Sequence, residues 1–237
     1  MRADTFVSTI GAGRPHFTEQ PLVVPIVAPI QEAVGEKAVS RIACVRDEQI
    51  QALVEQLFFR PESGPVRYVG FTASEPSTGT AQLCLEVARV LAEEGRYDVG
   101  VVDANPDAVP LQTQLQVAPT LRRENIWPVA PRLWLVPRQH WLSTSEGRRI
   151  PEQNFSKLRE LTTEFDFAVL CCPSISWLTA RIGRACDGLV LVLTANKTRR
   201  LVAAQMKDQL KKAQVPLLGT VLQERRLPVP EGLYRRL

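Results

Sequence analysis

Between Gly70 and Cys84 the chain reads GFTASEPSTGTAQLC. An apolar run gives way to small and polar residues and then to residues that favour a helix, the local order of a phosphate-binding loop. In the pattern G-x-x-x-x-G-K-[ST], successive backbone N–H groups wrap the phosphates at a helix N-terminus. The lysine neutralises the β/γ charge and the last hydroxyl coordinates magnesium. Registered on this chain, the pattern puts Ser74 at the first glycine, Gly79 at the second, Thr80 at the lysine and Ala81 at the metal-binding hydroxyl. One of the four positions survives, so the pattern alone does not separate this loop from an ordinary strand-to-helix turn.

Two further strand ends carry residues able to do chemistry. Asp103-Ala104-Asn105 closes the run DVGVVDA, and Cys171-Cys172-Pro173-Ser174 closes DFAVLCC. A thiol is a soft ligand, poorly matched to a hard cation that prefers oxygen. No histidine lies near Cys171 in sequence, and both thiols end an apolar strand, so they read as buried structural groups. His16 and His140 are too few and too far apart for a metal or catalytic cluster, and both read as surface residues. Five cysteines without C-x-x-C spacing argue against a disulfide framework or zinc site and fit a reducing cytoplasm.

The elements that must position these residues follow from periodicity. VRYVGFT, DVGVVDA, RLWLVPR, DFAVLCC, GLVLVLT and PLLGTVL are mostly continuous apolar runs, as expected of strands buried on both faces. Helical patterns fall near 80–94, 148–163, 176–186 and 198–213. In the last, Val202, Met206, Leu210 and Ala213 form an inner stripe, with Arg200, Lys207 and Lys211 outward. Asp47 is a candidate cap for a helix whose face is Ile50, Leu53, Val54, Leu57 and Phe58 and which ends near Arg60-Pro61. Alternation of this kind predicts an α/β fold: a mostly parallel central sheet with helices on both faces, ligands bound beyond the carboxyl ends of the strands. Residues 1–45, with glycine and proline at short intervals, read as a tail or linker before a single domain at 46–237. Trp127, Trp134 and Trp141, seven residues apart, read as core anchors around a strand.

Composition bounds the partners. The chain has 237 residues, 45% of them hydrophobic, and 29 basic against 25 acidic side chains for a formal charge of +4. That modest, unfocused excess does not call for nucleic acid. PLVVPIVAPI, at 21–30, is broken by three prolines that a membrane span would resist. No charged-then-apolar signal pattern opens the chain.

The stretch VRYVGFTASEPSTGTAQLCLEVARVLAEEGRYDVGVVDANPDAVPLQ resembles the MinD/ParA-like P-loop ATPases, and most of all the cytoplasmic domains of bacterial tyrosine kinases and related exopolysaccharide-biosynthesis ATPases. Their loop reads T-S-x-x-P-G-E-G-K-[ST], and a later strand ends in D-x-D. Here Thr72, Pro76 and Gly79 are retained, and Asn105 replaces the second aspartate. EFDFAVLCCPS resembles the Walker B segment, with Asp166 and Pro173 retained and Cys171 at the aspartate position. ACDGLVLVLTANKTRR and GTVLQERRLPVPEGLYRRL resemble later segments of the same families, an N-R of the relatives being Gln223-Glu224 here. The resemblance covers 47–237.

What it implies is a nucleotide site in decay, built from Ser74, Pro76, Gly79, Thr80, Ala81, Asp103, Asn105 and Cys171. Phosphoryl transfer rests on positioning and electrostatics, so loss of lysine, metal hydroxyl and Walker B carboxylate together removes most of the machinery. The expectation is a catalytically inactive pseudo-ATPase or pseudo-kinase without a bound cofactor, although the loop's backbone donors leave weak nucleotide or anion binding open. The implied role is an interaction or regulatory subunit in bacterial exopolysaccharide synthesis or export. Its implied partner is a protein of that machinery, membrane-anchored in some relatives, which would recruit it to the inner face of the membrane. The alternative is an unorthodox ATPase or tyrosine kinase that borrows a cation such as Lys197. Two features of the kinase relatives are reduced: the C-terminal tyrosine cluster to Tyr234, and the oligomerisation motif E-x-x-R-x-x-R to Glu48, Gln51 and Val54. Homo-oligomerisation therefore stays open. Arg225, Arg226, Arg235 and Arg236 read as a solvated face able to meet an acidic partner or membrane headgroups.

Overall fold

The computed structural model describes residues 22–25, 36–59, 65–75, 79–93, 96–115, 126–142 and 150–224. Its sheet has eight strands: β1 (Leu22–Pro25), β2 (Tyr68–Ala73), β3 (Val99–Asp103), β4 (Trp127–Ala130), β5 (Leu133–Val136), β6 (Phe167–Cys171), β7 (Gly188–Thr194) and β8 (Leu217–Gln223). Their spatial order is β1-β8-β7-β2-β6-β3-β5-β4. Every pairing is parallel except β4 with β5. The six strands expected from sequence are all present.

Six helices accompany the sheet among the described residues: α1 (Glu36–Phe58), α2 (Thr80–Glu93), α3 (Leu111–Leu115), α4 (Glu152–Thr163), α5 (Trp177–Ala185) and α6 (Arg200–Lys212). The apolar strands feed two cores, one on each face. Along β6 and the residue after it, Phe167, Val169 and Cys171 enter the core beneath α1 and α2, whereas Ala168, Leu170 and Cys172 enter the core shared with α4, α5 and α6. This alternation is the pleat of a doubly buried strand.

Several sequence expectations are corrected. α1 starts at Glu36, so Asp47 stands inside it and pairs with Arg89 of α2 at 3.4 Å instead of capping the helix. Its expected face is right: Ile50, Leu53, Val54, Leu57 and Phe58 are all buried in the chain's own core. β1 and the first turns of α1 lie inside the stretch read as tail; β1 pairs with β8 from Leu22 opposite Gly219 to Pro25 opposite Leu222. A proline-punctuated segment can serve there because an edge strand tolerates missing donors. On α6 the inner stripe shortens to Met206 and Leu210, with Ala213 half-buried, because Val202 is exposed beyond the core. β4 and α3 were not foreseen; four or five residues carry too little periodicity to read.

Trp127 and Trp141 are buried and Trp134 half-buried, as core anchors should be. His140 is not a surface residue. It is half-buried, edge-on to Trp127 with ring centres 6.4 Å apart, because the short 3₁₀ turn at Arg138–His140 folds it back over β4. Among the described residues no helix is long and apolar enough to cross a membrane.

Candidate functional site

The strand order β7-β2-β6-β3 brings four carboxyl ends side by side, and with them the residues singled out in sequence. β2 ends at Ala73 and α2 begins at Thr80. Between them Gly79 has φ +66°, left-handed backbone that favours glycine. The carbonyl of Gly79 accepts the Leu83 N–H at 3.1 Å, so helical bonding starts at this residue. The start of the loop is tied across the sheet: Ser74 Oγ and Thr198 Oγ1 share a hydrogen bond of 3.0 Å, and Thr198 Oγ1 also accepts the Thr194 N–H at 3.1 Å. Thr80 and Ala81 open α2, and Ala81 packs against the core below. Pro76 lies outside the described residues, as do His16, Tyr234 and the four C-terminal arginines.

Asp103 and Cys171 are direct partners in the β3–β6 register, yet they serve different ends. Cys171 is 3% exposed and sits in the core beneath α2, where its thiol neighbours Cys84. Burial, reinforced by Cys171, pushes the Cys84 thiol well above its ordinary range. Burial does the same to Cys172 and Cys186. Cys171 and Cys172 are both buried, as expected from their place on an apolar strand.

Asp103 is 1% exposed and accepts three hydrogen bonds from the protein. One carboxylate oxygen accepts the Leu111 N–H at 3.0 Å and Arg138 Nε at 3.0 Å; the other accepts the Asn105 N–H at 3.3 Å. Arg138 also donates to the carbonyls of Pro106 at 2.8 Å and Ala108 at 2.9 Å, and Trp141 Nε1 donates to the Asp103 carbonyl at 3.0 Å. The side chain of Asn105 turns back to accept the Asp107 N–H at 3.1 Å. What sequence suggested as the acidic remnant of a catalytic pair is thus the centre of a closed polar knot that shapes the β3–α3 connection. Arg138 escaped sequence reading because it looks like one charge at the end of an apolar run. Thr72 is spent likewise: its hydroxyl donates to the Pro173 carbonyl at 2.7 Å.

Measured against a magnesium nucleotide, these donors do not fit. Thr80 supplies no positive charge, Ala81 no oxygen and Cys171 no carboxylate, and Asp103 already balances Arg138. Lys197, offered from sequence as a replacement cation, reaches Glu224 Oε2 at 2.9 Å on the surface. Among the described residues no group of three or more His, Cys, Asp or Glu is placed to hold a metal ion.

No family model matches the chain, and no curated protein matches it in sequence. Solved structures do share its fold. The chimerical protein CapA2B2 superposes with a TM-score of 0.67 at 17% identity, over 87% of this chain and 95% of that one. The kinase domain of the Escherichia coli tyrosine kinase ETK superposes with a TM-score of 0.63 at 16% identity, over 89% and 92%. A ParA family ATPase from Chlorobium tepidum reaches 0.52 at 14% identity, over 66% and 73%. The chain therefore has the α/β fold of bacterial tyrosine-kinase domains and ParA-type ATPases, the fold its loop and strand-end motifs resemble.

Proposed function

We propose that this chain is a catalytically inactive pseudo-ATPase or pseudo-kinase, acting as an interaction or regulatory subunit in bacterial exopolysaccharide synthesis or export. The observation that carries the reading is the state of Asp103. The one acid left at the β3 end is buried, paired with Arg138 and bonded to two backbone amides. Three of its roughly four lone-pair sites are taken by Arg138, Leu111 and Asn105, and its charge is balanced within a buried ion pair, so it is poorly placed to carry a metal-bound water. The substitutions at Thr80, Ala81 and Cys171 support the same conclusion. So does the Ser74–Thr198 bond, which ties the loop to the β7–α6 turn.

The link to polysaccharide rests on resemblance to the kinase-type relatives, since a fold by itself hosts many functions. On this reading the partner is a protein of the polysaccharide machinery. Membrane association, where it occurs, comes through that partner.

Calorimetric titration with ATP and ADP, with and without magnesium, tests the reading. The natural protein is expected to give no heat, and Thr80→Lys/Ala81→Ser is expected to gain nucleotide binding because it restores the charge and the hydroxyl on an unchanged backbone. Magnesium-dependent ATP turnover by the natural protein would overturn it.

A further inference from the structure

Away from the strand ends, α4 and α5 pack side by side on one face of the sheet and leave between them a cleft of about 470 Å³. Its walls carry Arg159 from α4 and Arg181 and Arg184 from α5, with Glu152 and Glu160 also on the α4 side. Arg181 and Arg184 are three residues apart, so they share a helix face about 4.5 Å apart along the axis.

All three guanidiniums are held by the protein. Arg184 donates through Nε and Nη2 to the Ala213 carbonyl at 3.1 and 3.0 Å. Arg159 donates through Nη2 to the Arg184 carbonyl at 3.3 Å. Arg181 pairs with Glu152 and lies over the Phe155 ring, 5.1 Å from its centre. A guanidinium has five N–H donors. Among the described residues Arg159 uses one and Arg184 two, both on neutral carbonyls, so neither charge is balanced by a bonded carboxylate.

We infer that the α4–α5 cleft is a docking groove for an acidic segment of a protein partner. Its cations are spread over two helices along an open cleft, and Phe155 and Ala185 add apolar lining. Carboxylates one helical turn apart on a partner segment would match that spacing. Holding each guanidinium in advance lowers the ordering cost of binding. The assignment deepens the interaction-subunit reading and rests on it.

The test is fluorescence anisotropy of the full chain with a labelled glutamate-rich peptide bearing interspersed leucine, in low and physiological salt. Binding is expected to weaken with salt and to fall about tenfold or more in Arg159→Glu. Arg200→Glu, an equal change of charge on the exposed start of α6, should leave it unaltered. Because Arg184→Glu removes two structural bonds, Arg159→Gln serves as the milder second variant and should lose part of the affinity with its melting temperature kept. Equal affinity for the natural protein, Arg159→Glu and Arg200→Glu, or no binding at low salt, would overturn the groove alone. A phosphopeptide that binds there while the glutamate peptide does not would also overturn it. ATP turnover by the natural protein would instead remove the reading beneath it.

Discussion

Arg138 and Asp103 form an ion pair of 3.0 Å across the carboxyl edge of the sheet, with side chains only 15% and 2% exposed. The pair joins the end of β3 to the turn after β5, and through Pro106 and Ala108 it fixes the connection between β3 and α3.

Breaking that pair from one side leaves a buried charge without a partner. Arg138→Ala should destabilise the fold by about 3–5 kcal/mol in urea unfolding, whereas Arg138→Ala/Asp103→Asn should cost less than the sum of the two single changes. Strict additivity would show that the two residues are not coupled.

At Gly79 the left-handed backbone is the constraint, since among the described residues an added Cβ would meet only Gln223 Oε1 at 3.6 Å, an ordinary contact. Gly79→Ala is expected to cost about 1–2 kcal/mol, and Gly79→Asn less, because asparagine tolerates this region better. Thermal unfolding of the two variants side by side reads the difference.

Gly100 is constrained by packing instead. A Cβ there would fall 2.4 Å from the Phe165 ring. Gly100→Ala should lose about 1–3 kcal/mol by overpacking, and Phe165→Leu in the same chain should recover part of it. A double variant less stable than Gly100→Ala alone would refute the contact as the cause.

His140 should make stability pH-dependent. Burial, and then Lys157, lower its pKa below the usual 6.5. The unfolded chain therefore takes up the proton first as pH falls. The stability contributed by the neutral ring is complete above about pH 6.5 and declines below it until the folded protein protonates as well. Denaturant unfolding from neutral pH to about pH 5 should show a steeper decline for the natural protein than for His140→Gln.

Thiol accessibility checks the assignment of the cysteines as structural. In a Cys44→Ser/Cys186→Ser background, the buried Cys84, Cys171 and Cys172 should react negligibly with a chromogenic disulfide reagent in the folded protein and fully in denaturant. Rapid reaction in the native state at neutral pH would contradict their burial.

Much of this molecule was decided locally. Continuous apolar runs and 3.6-residue periodicity depend on neighbours in the chain. They made the parallel strands, four of the helices and the inner face of α1 legible before any coordinates, and the missing lysine, hydroxyl and carboxylate could be read as missing. The tertiary structure decided what the remaining residues do. Asp103 passes from catalytic remnant to structural ion only because Arg138, 35 residues away, folds against it. Ser74 is tied to Thr198 across 124 positions. Asp47 sits mid-helix because α1 is propped against α2, and Pro25 falls on an edge strand that asks little of it. The arginine cleft likewise exists only where α4 and α5 meet. Periodicity reports which way a side chain faces, whereas charge pairing between distant segments is set by the sheet order that brings those segments together.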